Sequence, residues 1–589
     1  MRLFNVSGTK RSFGDGTLRT TTWGRRLALA ALSTLLVAGL SFADGKHKVS
    51  KDLGGLKGGH NGATVDVIIQ FNQTPTAAHH QKVQDKGGVL KTKLDFIKGA
   101  HYTVPVEALA DLANDPDVAY ISPDREVHGS LDYVTSAVGA PTAWNVYGLT
   151  GTGIGVAIID SGIHNNNDFN PGPGQNRIVY SQDFVTGTGP GDDLYGHGTH
   201  VAGIVGGGGK GSTCPSCTRT FKGVAPNVNL INLRVLDQNG SSTDSRVISA
   251  IQKAISLQNT YNIGVINLSL GRGVYESYQQ DPLCQAVEQA WNAGIVVVVA
   301  AGNNGRDNSA GTHGYGTIGA PGNDPYVITV GAMKTNGTYS TVDDTIATYS
   351  SKGPTGYDQI VKPDLVAPGN QVVSDSNSAS TLWKNNPGNL VPLKYYQNTS
   401  STWSSPQYFT LSGTSMATPV VSGAAALLMQ QYPNLTPDQV KARLMKTASK
   451  TFPASSTVTD PSTGITYTDY YDIFTVGAGY LNIPAALANN DLANGSAMSP
   501  SVSYDQSTQT AYLVEGTSVV WGNSVVWGNS LVWGTSVVWG NSVVWGNSVV
   551  WGDNSCSGFS VVWGNGVVWG NSSDQSSSTA QSITVAGEN

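Results

Sequence analysis

One run limits what this chain can fold into more than any other: Leu411-Ser-Gly-Thr-Ser-Met-Ala-Thr-Pro-Val-Val-Ser-Gly-Ala-Ala-Ala-Leu-Leu-Met429. It carries no charge, and its side chains are mostly small. It reads as a helix that is apolar nearly all round, and such a helix must be enclosed by further layers of structure. Ser415 stands where this helix would begin, among backbone N–H groups without intrahelical partners and at the positive end of the dipole. Such a place favours an alkoxide or an oxyanion. It equally suits a serine that only caps a core helix, and the segment alone leaves both readings open.

Two other segments bear on the choice. Val156-Ala-Ile-Ile-Asp160-Ser-Gly162 is an apolar strand that ends on a carboxylate and a turn. Gly196-His197-Gly-Thr-His200-Val-Ala-Gly203 puts a histidine between glycines at a helix start. The order is Asp, His, Ser, as in subtilisin. These three motifs resemble the subtilase family of serine proteases, and the resemblance runs from Gly151 to Leu487.

The resemblance implies roles. Ser415 would be the nucleophile and His197 its general base, with Asp160 fixing the imidazole tautomer and stabilising the imidazolium. The family motif uses the first histidine, so His197 rather than His200 is expected. Ala300-Ala-Gly-Asn303 matches the family's oxyanion segment, so the Asn303 side chain and the Ser415 N–H would form the oxyanion hole. Ser269, Leu270 and Gly271 would be the strand edge that pairs with an extended peptide. Ala301 and Gly302 would line the opposite wall, with Gly319 near its base. No cofactor is expected for catalysis. Structural calcium is common in the family, and Asp168 lies where a calcium-binding carboxylate is often found, though it could as easily cap a loop. A zinc-protease reading fails, because the chain has no His-Glu-x-x-His.

The fold class expected for residues 131–490 is α/β, with a doubly wound, mostly parallel, subtilisin-like sheet. Gly155–Ile159, Val228–Leu236, Gly264–Leu270, Ile295–Ala300 and Val327–Val330 are continuous apolar runs, as in strands buried on both faces. Helices between and after them have marked ends: Asp281-Pro282 and Gly294 bound one, and Thr436–Gln439 is a capping box opening another. Such sheets place their sites at strand carboxyl ends.

Residues 63–130 read as β-α-β-β-α-β, a small ferredoxin-like α+β unit. It resembles the inhibitor prodomain that precedes the catalytic domain of many subtilases, which makes the chain's own prodomain an expected partner. Residues 1–43 read as a signal peptide: Arg25 and Arg26 precede apolar Leu27–Leu40, and Ser41-Phe-Ala43 suits cleavage. The apolar run is short for a bilayer. A polar linker at 44–62 follows, and the protein is expected to be secreted, either free or associated with a cell surface. In an exported protein Cys214-Pro-Ser-Cys217 reads as a loop-closing disulfide rather than half a zinc site. The Ser/Asn/Pro-rich stretch between Pro368 and Ser412 reads as a surface insertion near the cleft.

Residues 491–517 read as a second linker. From 518 to 571 the hexad Ser-Val-Val-Trp-Gly-Asn recurs, with tryptophans at 521, 527, 533, 539, 545, 551, 563 and 569. A β-type repeat tail is expected, and because six is even each residue type keeps its face. Its aromatic rows suit a glycan or a cell-surface layer, or a self-packed stack with no ligand. Residues 572–589 form a final tail.

Charged residues are only 13% of the chain, the net charge is −6, and no basic run lies in the body, so nucleic acid is not an expected partner. Protein and peptide substrates are. Two rivals share the scaffold: a surface-binding repeat protein with an inactive protease domain, and a bond-forming ligase. The intact Asp160, His197, Ser415 and Asn303 favour hydrolysis.

Overall fold

The computed structural model describes residues 48–50, 53, 63–123 and 133–505 except 171, 173, 310, 461 and 462. Strand residues 510–513, 520–521 and 524–525, and residue 588, are also described. The expected signal peptide, the segment 124–132 and the hexads beyond 525 lie outside the described residues. The chain divides into two units, 1–127 and 128–589.

The first unit runs β1 (Thr64–Phe71), α1 (Ala77–Asp85), β2 (Val89–Leu94), β3 (Gly99–Pro105), α2 (Leu109–Asn114) and β4 (Val118–Pro123). Its sheet has the order β2-β3-β1-β4, with each pairing antiparallel. Along β1 every second residue from Val67 is buried, which puts Val67, Ile69 and Phe71 on the core face. Tyr102, Val104, Leu112 and Ile121 complete that core. β2 shows no alternating pattern in sequence, and none is required of it, because it is an edge strand largely exposed to solvent.

The second unit is built on an eight-stranded sheet. Its strands are β5 (Gly155–Asp160), β6 (Ile178–Asp183), β7 (Asn229–Arg234), β8 (Ile263–Leu268), β9 (Val296–Ala300), β10 (Ile328–Lys334), β11 (Thr345–Ile346) and β12 (Leu365–Pro368). The order is β11-β10-β9-β8-β5-β7-β6, with β12 also paired to β10. All pairings are parallel except β10 with β11. Helices α3 (His197–Gly206) and α6 (Thr414–Gln431) pack together, as do α4 (Asp244–Tyr261) and α5 (Pro282–Asn292). α6 lies across β8, β9 and β10 and is buried from Thr414 to Leu428, as its uncharged sequence requires. α7 (Pro437–Thr447) opens with the expected capping box at Thr436 and Gln439.

Two boundaries differ from the sequence reading. The stretch after Pro368 is not only a surface insertion. It forms an antiparallel sheet of β13 (Val372–Asp375), β15 (Ser404–Leu411) and β14 (Leu390–Pro392), in that spatial order, and fully buries Tyr408 and Phe409. The second unit's core also continues past residue 490, the boundary expected from sequence. Ala493, Ala497 and Val502 are buried, Val361 N–H donates to Pro500 O at 2.8 Å, and Lys441 Nζ reaches Ser499 Oγ at 2.9 Å. In both places a Ser- and Asn-rich composition masked a few apolar side chains, and long-range pairing gives the backbone its partners. Cys214 and Cys217 are joined, as expected, and Cys284 is a buried free thiol. Among the described residues no helix is long and apolar enough to cross a membrane.

Candidate active site

Three adjacent strands bring the sequence motifs together. β5 ends on Asp160, β8 ends one residue before Ser269, and β9 ends three residues before Asn303. They are parallel neighbours, so their carboxyl ends lie side by side. β5 is also where strand order changes direction, with β7 and β6 on one side and β8 onward on the other. A crevice opens at such a point in a doubly wound sheet.

Glycine lets His197 reach this edge. Gly196 takes φ +106° at the N-cap of α3, a backbone conformation costly for other residues. A Cβ on Gly198 would stand 2.2 Å from the carbonyl oxygen of Gly162, so any side chain there would push α3 off the turn that follows Asp160. The result is a hydrogen bond of 2.7 Å from His197 Nδ1 to Asp160 Oδ1, with the Asp160 side chain fully buried. The carboxylate holds the proton on Nδ1 and leaves Nε2 as the basic nitrogen. Ser161 N–H donates to the same carboxylate oxygen at 2.7 Å, while Asp160 Oδ2 has no hydrogen-bond partner among the described residues. Burial opposes the imidazolium, but the charge and hydrogen bond of Asp160, helped by Asp193, outweigh it and raise the His197 pKa.

Asp193 was not singled out from sequence. It is fully buried and accepts from Gly196 N–H at 2.6 Å, Thr199 N–H at 2.8 Å, Thr199 Oγ1 at 2.6 Å and Ser161 Oγ at 2.8 Å. It thus caps α3 and ties it to the turn after Asp160. An acidic residue four places before a helix-opening histidine was the available signal. His200 has a different part. Burial, then repulsion from His197, lowers its pKa to about 3, and its Nε2 donates to the carbonyls of Val372 and Phe409 at 3.0 and 3.1 Å.

Ser415 sits in the first turn of α6. Its hydroxyl donates to Ser269 O at 3.1 Å, and Ser269 Oγ donates to Ser415 O at 2.8 Å. Behind them Ser422 Oγ donates to Asn267 Oδ1 at 2.8 Å, and Asn267 Nδ2 donates to Ser269 Oγ at 3.0 Å. This chain of polar groups fixes α6 against β8, and neither Asn267 nor Ser422 stood out in the sequence. Asn303 Oδ1 accepts from Thr414 N–H at 2.9 Å and Thr414 Oγ1 at 3.1 Å. With its oxygen so held, the amide NH₂ is the end left to donate.

A cavity of about 430 Å³ is lined by His197, Ser269, Leu270 and Gly271, together with Leu236, Tyr195, Leu382 and Leu411. The expected edge residues are therefore in it. Ala301 and Gly302 are not among its lining residues: Gly319 N–H donates to Ala301 O at 3.1 Å, and Gly302 N–H donates to Thr414 Oγ1 at 3.1 Å. Leu382 comes from the segment misread as surface. Thr381 N–H to Leu194 O at 3.0 Å, and Leu382 N–H to Tyr195 O at 2.9 Å, strap that segment to the approach of His197.

Asp168 does not fit a calcium ligand. Its Oδ1 accepts from Gly211 N–H at 2.7 Å, and its Oδ2 accepts from Gly209 N–H at 3.1 Å and Tyr408 O–H at 2.9 Å. The Arg177 guanidinium donates to its backbone carbonyl. Both carboxylate oxygens face donors, and a cation would meet their positive ends. Among the described residues no cluster of three or more His, Cys, Asp or Glu is placed to hold a metal ion. The position of Tyr408 opposite Asp168, 240 residues away in sequence, was not legible beforehand.

Comparison with known proteins agrees with this architecture. The subtilase-family model matches residues 151–471. The serine protease AprX of Bacillus subtilis is 38% identical over 403 residues, covering 66% of this chain and 84% of that protein. Subtilisin E of the same organism is 33% identical over 390 residues, covering 65% and 84%. An extracellular serine proteinase of a Thermus strain is 35% identical over 364 residues, covering 59% and 70%. The chain belongs to the subtilase family of serine-type endopeptidases.

Proposed function

We propose that Asp160, His197 and Ser415 are the catalytic triad of a secreted endopeptidase made as a self-processing zymogen. The observation that carries this reading is the buried 2.7 Å hydrogen bond from His197 Nδ1 to Asp160 Oδ1, between a helix and a strand that both pack against α6. For attack, the Ser415 hydroxyl turns from the Ser269 carbonyl to His197 Nε2, which takes its proton as Oγ adds to the scissile carbonyl. Catalytic hydrogen bonds of this kind often tighten only with substrate bound. The tetrahedral oxygen then receives the Asn303 amide and the Ser415 N–H, whose local dipole already favours negative charge. His197 returns the proton to the leaving amine, and a water activated by the same nitrogen releases the acyl group. Substrate lies as an added strand along Ser269–Gly271, its side chains against Leu236, Leu270 and Leu382.

Hydrolysis of unfolded casein by the purified protein, abolished by a serine-directed inhibitor that labels Ser415, is the expected result. Labelling of any other serine with loss of activity would overturn the assignment. Replacing Asn303 by alanine is expected to lower kcat by about 10²–10³ with little change in KM, because the donor it removes serves mainly the developing oxyanion. A loss under about threefold, far short of that range, would show that Asn303 is not the donor.

The first unit is read as the inhibitor prodomain, and the tryptophan hexads as a contact with a cell-surface layer or glycan. Support for the first comes from the ferredoxin-like strand order of residues 64–123.

A further inference from the structure

Glu588, near the end of the second unit's sequence, is buried, 5% exposed. Its carboxylate receives three donors. Arg306 Nη2 lies 3.0 Å from Oε1, Thr348 Oγ1 lies 2.8 Å from the same oxygen, and Thr348 N–H lies 3.0 Å from Oε2. Its backbone is read as well. Glu588 N–H donates to Asn370 Oδ1 at 2.9 Å, and Asn370 Nδ2 donates to Glu588 O at 2.7 Å. One asparagine side chain thus pairs with the backbone as a neighbouring strand would, and a charge-assisted hydrogen bond from Arg306 fixes the side chain.

The receptor side is firmly built. Arg306 Nε donates to Thr348 Oγ1 at 2.6 Å, its Nη1 meets Asp460 at 2.9 Å, and its guanidinium lies 4.6 Å from the Tyr467 ring centre. Gly305 N–H donates to Tyr349 O at 2.8 Å, and Tyr349 O–H donates to Gly369 O at 3.1 Å. These bonds hold the loops carrying Arg306, Thr348 and Asn370 together without help from Glu588.

We propose that Arg306, Thr348 and Asn370 form an acidic-peptide-binding site whose occupant is the chain's own segment around Glu588. The C-terminal part of the chain thereby meets the rest of the second unit at two described places. One is the pairing of Val520 and Trp521 with Ala493 and Asn494, and the other is this site. A carboxylate that accepts from Arg306, the Thr348 hydroxyl and the Thr348 N–H is discriminated from glutamine, because an amide would turn an N–H toward a donor and the Arg306 charge would lose one of its two anionic partners, Asp460 and Glu588.

The test uses the full chain carrying Ser415→Ala, which prevents self-digestion, and reads hydrogen exchange at the Thr348 amide. It does not depend on the identity of the catalytic residues. Exchange there should rise about tenfold or more when Glu588→Ala is added. A synthetic peptide with the sequence of residues 584–589 should restore protection to that variant, and its glutamine counterpart at the Glu588 position should not. Equal Thr348 exchange with and without Glu588 would overturn the proposal. So would equal protection by the two peptides, which would mean that the site reads backbone alone.

Discussion

Ser415→Ala is expected to lower kcat by about 10⁶, the size of effect seen when the corresponding nucleophile is removed from a subtilisin. The fold should survive. Among the described residues the hydroxyl makes one hydrogen bond, to Ser269 O at 3.1 Å, and such a bond contributes about 1 kcal/mol net. The Asn267–Ser269–Ser422 network behind it does not use that hydroxyl. If residues 63–130 are an inhibitor prodomain removed by the same active site, the variant should accumulate as a precursor uncut between Val127 and Asp132. Mass and N-terminal sequence of the purified variant check this. Normal trimming of the variant in a host without other proteases would refute self-processing. Retention of more than about one thousandth of parental turnover, against the 10⁶ expected, would refute the nucleophile.

Asp160→Asn should come next in size, with kcat down by about 10⁴, as for the equivalent change in a serine protease of another fold. Shape and burial are kept, but the amide can present N–H where the carboxylate accepted, which favours the wrong imidazole tautomer. The pH profile separates this from a packing defect. In the parent, burial disfavours the His197 cation, but the Asp160 charge and hydrogen bond prevail, so its pKa stands above the ordinary 6.5. The base works only when neutral, so kcat/KM should fall as pH drops through that raised value. Without the carboxylate the burial effect is left largely unopposed, and the acidic limb of the residual activity should move to lower pH. An unmoved limb would show that Asp160 does not set the His197 titration.

What the sequence determined by itself was local. The uncharged run before Met429 predicted a helix enclosed on all sides, and α6 is buried from Thr414 to Leu428 because no face of it could meet water well. Asp281-Pro282 and the Thr436–Gln439 box marked helix starts, since caps act within one turn. The apolar runs predicted parallel strands, and Asp160, His197, Ser415 and Asn303 were picked out by motif. What only the tertiary structure decided involves partners far apart in the chain. Asp168 looked like a calcium ligand until Tyr408, Gly209 and Gly211 were seen to supply its donors. Leu382 became a wall of the cleft because backbone bonds to Leu194 and Tyr195 fold its segment over His197. Glu588 found Arg306 across 282 residues. Periodicity and capping act over a few residues, whereas a polar group's role is set by whichever donor or acceptor the fold brings within about 3 Å, and no local pattern encodes that meeting.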